Sequence, residues 1–187
     1  MTVEAQRLQP EFAWPVKFSD EEARTLVNHR LKKRADLKTT LYHHPFLGLV
    51  FQGQQHRARF FPQPSRQRET HELIQAHVLV DLVGGKAYLS DAWETDDFIA
   101  ISPNDETSPI RDPEPQVQEA TAILAARAIL AGVVLRRRRI AAVNDFELVE
   151  PPARLGKPNW WVTDRHTGGS TEVIVDGITG KHYAFSV

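Results

Sequence analysis

The chain has 187 residues, with 23 basic and 24 acidic side chains and a net charge of −1, so any electrostatic role must come from local patches rather than from an overall field. It contains no cysteine, which excludes disulfides, thiolate catalysis and thiolate zinc sites and suits a reducing compartment. An apolar fraction of 41% supports a core and speaks against wholesale disorder. The first residues lack the basic start and apolar run of a secretory leader, and the longest apolar run, Ala120 to Leu135, is broken by Thr121 and Arg127. The expectation is a cytoplasmic protein with no membrane span.

In chain order, residues 1–18 form an N-terminal extension. Ser19 and Glu22 make a capping box, and Phe18 stands where a hydrophobic staple belongs. Ala23, Leu26, Val27, Arg30 and Leu31 keep helical spacing, which predicts a helix ending near Arg34. Thr39 to Phe51 reads as a strand interrupted at Pro45. Gln52 to Arg68 carries Gly53, Pro62 and Pro64 and reads as a long hairpin loop. Leu73 to Leu82 and Lys86 to Ser90 read as strands around a tight turn. Residues 92–112 are rich in acidic residues and proline and read as a linker, with an edge strand at Phe98 to Ile101.

Asp112 and Pro113 open a second predicted helix, with proline at its first position. That helix is apolar nearly all round, so it should be buried on more than one side, and it finishes in Arg136 to Arg139. Phe146 to Val149, Trp160 to Arg165, Thr171 to Asp176 and Lys181 to Phe185 read as the remaining strands.

Val78 to Tyr88 aligns without gaps on Val173 to Tyr183. Val78, Val80, Asp81, Gly85, Lys86 and Tyr88 meet Val173, Val175, Asp176, Gly180, Lys181 and Tyr183. A common hairpin grammar explains part of this, because Asp caps such turns and Gly supplies positive φ. A helix precedes each hairpin, so the expected fold class is α+β: two diverged repeats, 19–91 and 113–187, each one helix packed on a small antiparallel sheet. The run Val175 to Tyr183, with Asp176, Thr179, Gly180 and Lys181 in the turn, resembles the end of a PepSY-type unit, similar in shape to cystatin-like folds. The resemblance implies a non-catalytic module that inhibits, chaperones or regulates a partner, and it assigns no active-site residue.

No catalytic motif, phosphate loop or dinucleotide pattern is present. No histidine spacing makes a metal site: His43 and His44 point to opposite faces of a strand, and Asp164 with His166 lacks a third ligand. The expectation is no cofactor and no metal, and an enzyme ranks third among the readings, since it would need a pocket around Asp164, His166 and Ser170. Three features suggest binding instead. Trp160 and Trp161 are adjacent on a strand and face opposite ways, and with Phe60 and Phe61 they are candidate partner contacts. Arg57, Arg59, Arg66 and Arg68 on the loop, and Arg136, Arg137, Arg138 and Arg139 ending the second helix, are candidate anion contacts. Arginines interleaved with aromatic rings suit single-stranded nucleic acid. Cations at a helix C-terminus are equally what the macrodipole favours. The functional expectation is a non-catalytic binding or regulatory module that contacts a protein partner or forms a homodimer. The alternative is single-stranded nucleic-acid or polyanion binding through the arginines.

Overall fold

A computed structural model describes residues 8–31, 36–56, 72–101, 113–137, 142–143, 146–164 and 171–186. Among them are two α-helices, α1 (Asp20–Leu31) and α2 (Glu119–Arg137). The strands are β1 (Phe12–Ala13), β2 (Leu37–His56), β3 (Glu72–Asp81), β4 (Ala87–Ser90), β5 (Ile99–Ala100), β6 (Ala142–Val143), β7 (Glu147–Leu148), β8 (Ala153–Asp164), β9 (Thr171–Asp176) and β10 (His182–Ser186).

These strands form one ten-stranded sheet with the main order β10-β9-β8-β2-β3-β4. The sheet is mixed, because β1 pairs parallel with β8 and antiparallel with β5. This corrects the expected fold class: the described residues form one large mixed sheet with two helices, not two repeats of a helix on a small sheet. The local patterns carried no information on the error. Helical and strand periodicities say which face of an element is apolar, not which other element covers it.

The two compact units are built from interleaved segments. One comprises residues 1–8, 47–93 and 115–153, and the other 9–46, 94–114 and 154–187. In the first unit, α2 buries Ala122, Ala126 and Leu130 against Leu47, Leu49 and Phe51 of β2, Val78 and Val80 of β3, and Leu82. In the second, α1 buries Ala23 and Val27 against Leu37, Val162 of β8, and Val173 and Val175 of β9. Each helix therefore covers strands that come mostly from the far half of the sequence.

Local signals explain the elements. The Ser19 hydroxyl accepts the Glu22 N–H at 3.3 Å, and the Glu22 carboxylate accepts the Ser19 N–H at 2.7 Å, a reciprocal capping box that starts α1. The amide hydrogen bond holds the Glu22 carboxyl below its ordinary range, with the Ser19 hydroxyl adding to it. The second helix starts at Glu119, six residues beyond Pro113, because the chain first docks Gln116 and Val117 on Leu82 in the β3–β4 turn. Strand β2 runs through Pro45, which is fully buried within it. Proline's fixed φ is compatible with extended backbone, and the cost is one absent ladder donor.

The β3–β4 and β9–β10 hairpins share one turn chemistry. Asp81 Oδ1 accepts the N–H groups of Val83 at 2.8 Å and Gly84 at 3.1 Å. Asp176 Oδ1 accepts those of Ile178 at 2.9 Å and Thr179 at 3.2 Å. Gly85 and Gly180 follow with φ of 72° and 68°, the left-handed region that glycine enters without penalty.

Candidate functional site

Strand β4 ends the main strand order and has β3 as its neighbour there. The register runs His77↔Ser90, Val78↔Leu89, Leu79↔Tyr88 and Val80↔Ala87. The Asp81 N–H donates to the Lys86 carbonyl at 2.9 Å, which makes 81↔86 a hydrogen-bonded pair. Antiparallel pairs alternate, so Tyr88 and Ser90 turn their backbone groups toward β3. The N–H and C=O of Ala87 and Leu89 consequently point outward, along the edge.

The same edge carries apolar side chains. Tyr88 is 41% exposed and Leu89 48% exposed, next to each other and on opposite faces of the strand. On neighbouring β3, Leu73 is 59% exposed. The Lys86 ammonium lies 5.2 Å from the Tyr88 ring centroid, so the basic residue at the head of the strand covers one side of that ring. Short edges flanked by lysine are how sheets limit indiscriminate pairing. A strand with outward amides and adjacent exposed Tyr and Leu is chemically able to accept a further strand.

Beneath the edge lies a polar cluster that the sequence reading passed over. His77 is buried, and its Nδ1 accepts the Trp93 backbone N–H at 3.4 Å. The two rings meet edge to face at 5.1 Å. Ser90 stands directly across from His77, its Oγ buried without a hydrogen-bond partner. Hairpin arithmetic was the available signal, since counting outward from Asp81 and Lys86 places His77 opposite Ser90. A serine facing a histidine invites a nucleophile–base reading, but the proton placement opposes it. With Nδ1 accepting an N–H, the neutral ring carries its proton on Nε2 and has no free nitrogen to receive the Ser90 proton. The cluster instead packs Trp93 and the end of β4 onto β3.

The anticipated contacts fall in different places. Trp160 is half-buried, packs against the α1 core and donates its indole N–H to the Phe18 carbonyl at 2.6 Å, which ties down the lead-in to α1. Trp161, half-buried, pairs with Ile174 across β8 and β9. Phe60, Phe61, Arg57, Arg59, Arg66, Arg68, Arg138 and Arg139 lie outside the described residues, as do His166 and Ser170. Arg136 and Arg137 are the last residues of α2. Among the described residues no group of three or more metal-ligating side chains comes together. No helix among them is long and apolar enough to cross a membrane.

At the second hairpin turn the buried Asp176 pairs with the half-buried Lys157 of β8. Lys157 Nζ lies 2.6 Å from Asp176 Oδ2. Burial alone would push the Asp176 carboxyl up. The hydrogen bond and charge of Lys157, with the amides of Ile178 and Thr179, outweigh burial and hold it below the ordinary range. The group is structural, since every contact it makes closes the turn or joins it to β8.

The chain matches no protein-family model, and no curated protein or solved structure is significantly similar to it.

Proposed function

We propose that this protein is a non-catalytic binding module that takes an extended segment of a protein partner along β4. The observation that carries this reading is the outward N–H and C=O of Ala87 and Leu89 beside exposed Tyr88 and Leu89. Strand addition takes its affinity from main-chain hydrogen bonds and its selectivity from alternate side chains. Here Tyr88 offers a ring on one face and Leu89 an aliphatic contact on the other. The PepSY-like turn at Val175 to Tyr183 agrees with a regulatory module of this kind, and the cysteine-free chain suits work in a reducing cytoplasm.

A displayed library of random linear peptides, selected against the intact protein, tests it. Binders should show alternating apolar residues, and Leu89→Pro should abolish their binding. That substitution removes an outward N–H that β3 does not use, so the β3–β4 ladder survives. Tyr183→Ala on β10 should leave binding unchanged. Binders that survive Leu89→Pro would overturn the edge assignment, and a selection yielding only sequence-independent, salt-sensitive binders would favour polyanion recognition through the arginines instead.

A further inference from the structure

The edge strand β4 is charged at its two ends and uncharged between them. Lys86 precedes it and Asp91 follows it, both exposed, with Ala87, Tyr88, Leu89 and Ser90 in between. The register with β3 divides these side chains between the two faces of the sheet. Ala87 and Leu89 stand opposite Val80 and Val78, which pack on α2, so they share the α2 side. Tyr88 and Ser90 stand opposite Leu79 and His77 on the other side. The strand therefore shows one exposed apolar residue on each face, Leu89 and Tyr88, beside the outward backbone groups of Ala87 and Leu89. At the far end of the main strand order, β10 is preceded by Lys181 but carries no acidic residue from His182 to Ser186.

We propose that the extended segment taken by β4 is β4 of a second copy, paired antiparallel about a two-fold axis at Tyr88. This rests on the strand-addition reading of the same edge and names its occupant. The hydrogen bonds select the register. With Tyr88 on the axis, Ala87 of each copy faces Leu89 of the other, so every outward N–H and C=O of both residues is paired. Moving the axis to Leu89 would set Ala87 against Asp91, beyond the end of the strand. The charges select the direction. Lys86 of each copy lies opposite Ser90 of the other and next to its Asp91, and the symmetry makes this contact twice. The two Lys86 backbones are set apart by about 13 Å along the ladder. A parallel pair would place Lys86 beside Lys86 and Asp91 beside Asp91, which is destabilising. The edge at β10, with its lysine and no acid, offers no such complement to itself or to β4. The antiparallel register also covers both exposed side chains. Leu89 lies against Ala87 of the other copy on the α2 side. On the opposite side the two Tyr88 rings meet in the closer, non-hydrogen-bonded kind of pair, each with its own Lys86 ammonium beside it. A four-residue strand makes a small interface, so the dimer should be concentration-dependent.

Charge reversal tests the pair in solution. Sedimentation velocity over a hundredfold concentration range should show a monomer–dimer equilibrium in the unmodified protein. Lys86→Asp alone sets acid beside acid, and Asp91→Lys alone sets base beside base. Each variant, with the circular dichroism of the parent retained, should raise the dimer dissociation constant by about tenfold or more. An equimolar mixture of the two should recover association close to that of the parent, because every cross-strand contact then joins opposite charges again. The absence of native cysteines adds a test of register. Two Tyr88→Cys residues meet at the axis with Cα atoms about 4.5 Å apart, within disulfide range, whereas two Lys86→Cys residues do not. Mild oxidation should therefore trap the Tyr88→Cys dimer and leave Lys86→Cys monomeric. A mixture that associates no better than its components would overturn the antiparallel pair, as would equal trapping at both positions. A parent that is monomeric at every concentration, with no trapping at Tyr88→Cys, would overturn the second copy as occupant. The displayed peptides then judge the underlying reading separately. Peptides whose binding is lost in Leu89→Pro would keep β4 as an edge for another protein, and a selection without them would sink strand addition as well.

Discussion

Helices α1 and α2 are seated alike and finished differently. In the first unit the N–H groups of Gln116 and Val117 both donate to the Leu82 carbonyl, at 2.8 and 2.9 Å. In the second, those of Lys17 and Phe18 both donate to the Gly177 carbonyl, each at 2.9 Å. Leu82 and Gly177 each directly follow the turn aspartate, Asp81 or Asp176. Five residues beyond Val117 and Phe18 come Ala122 and Ala23, both fully buried against the strands. Counted the same way, exposed Glu21, Thr25 and His29 on α1 correspond to Ala120, Leu124 and Ala128 on α2. One docking geometry thus accommodates outer faces of different polarity, that of α2 carrying the exposed Arg127 as its one charge between Glu119 and Arg136, so the outer residues are not dictated by the seat.

The seats themselves differ in tightness, and the largest expected effect tests this. A Cβ on Gly180 would lie 2.8 Å from Phe18 Cε2, whereas one on Gly85 would meet Val117 Cγ2 at 3.4 Å. Both glycines have positive φ, so alanine at either incurs the left-handed penalty of about 1–2 kcal/mol. Gly180→Ala must also displace the Phe18 ring and should cost about 2–4 kcal/mol in all. Equilibrium urea unfolding of both variants should rank Gly180→Ala as the more damaging. Equal costs would show that Phe18 moves freely and that the two seats are energetically the same.

The turn aspartates sharpen the contrast next. Asp176, itself buried, has an ion pair with the half-buried Lys157 in addition to its turn amides. Its folded pKa is depressed, so its contribution is complete above the unfolded carboxyl value of about 4 and is lost as pH falls through the lower folded value. Asp176→Asn keeps the Oδ1 acceptor but loses the charge-assisted bond, worth about 1.5–3 kcal/mol. Unfolding free energies of Asp176→Asn and the parent should differ at neutral pH and converge only at a pH below the depressed folded value of Asp176. A difference that persists there would assign the loss to packing, not to charge.

How much of this was legible follows from the range of each signal. The capping box at Ser19 and Glu22 and the turns at Asp81 and Asp176 are readable because their partners lie within a few residues. The pairing of α1 with Val162 and Val173 is not, since those strands lie well over a hundred residues away and any apolar hairpin face would satisfy the same stripe. The start of α2 was misplaced because Pro113 is a sound first-turn residue, while docking through Gln116 and Val117 is a tertiary event. Of the candidate site, the hairpin around Val83 to Gly85 was visible. Its position at the end of the sheet, which gives Ala87 and Leu89 their outward amides, depends on strand order and was not. The indoles at Trp160 and Trp161 stood out by size, yet a large apolar ring reads the same whether it anchors a core or meets a partner.

Helix starts provide a smaller contrast. Ser19 caps α1 with its side chain, whereas Gln118 occupies the matching place before α2, where its carbonyl accepts the Ala122 N–H at 2.9 Å. Ser19→Ala should cost about 1 kcal/mol and Gln118→Ser should gain about half that, both within the range for N-cap exchange. Thermal unfolding should move in opposite directions for the two. A neutral Gln118→Ser would mean that the first-turn N–H groups of α2 gain nothing from a hydroxyl acceptor at position 118.

The smallest effect on stability is the most informative about the outer faces. Leu124 is largely exposed, so Leu124→Thr should change unfolding free energy by less than about 0.5 kcal/mol. Its counterpart Thr25→Leu should be equally silent. A shift larger than that in either variant would show that its outer position packs more tightly than its exposure implies.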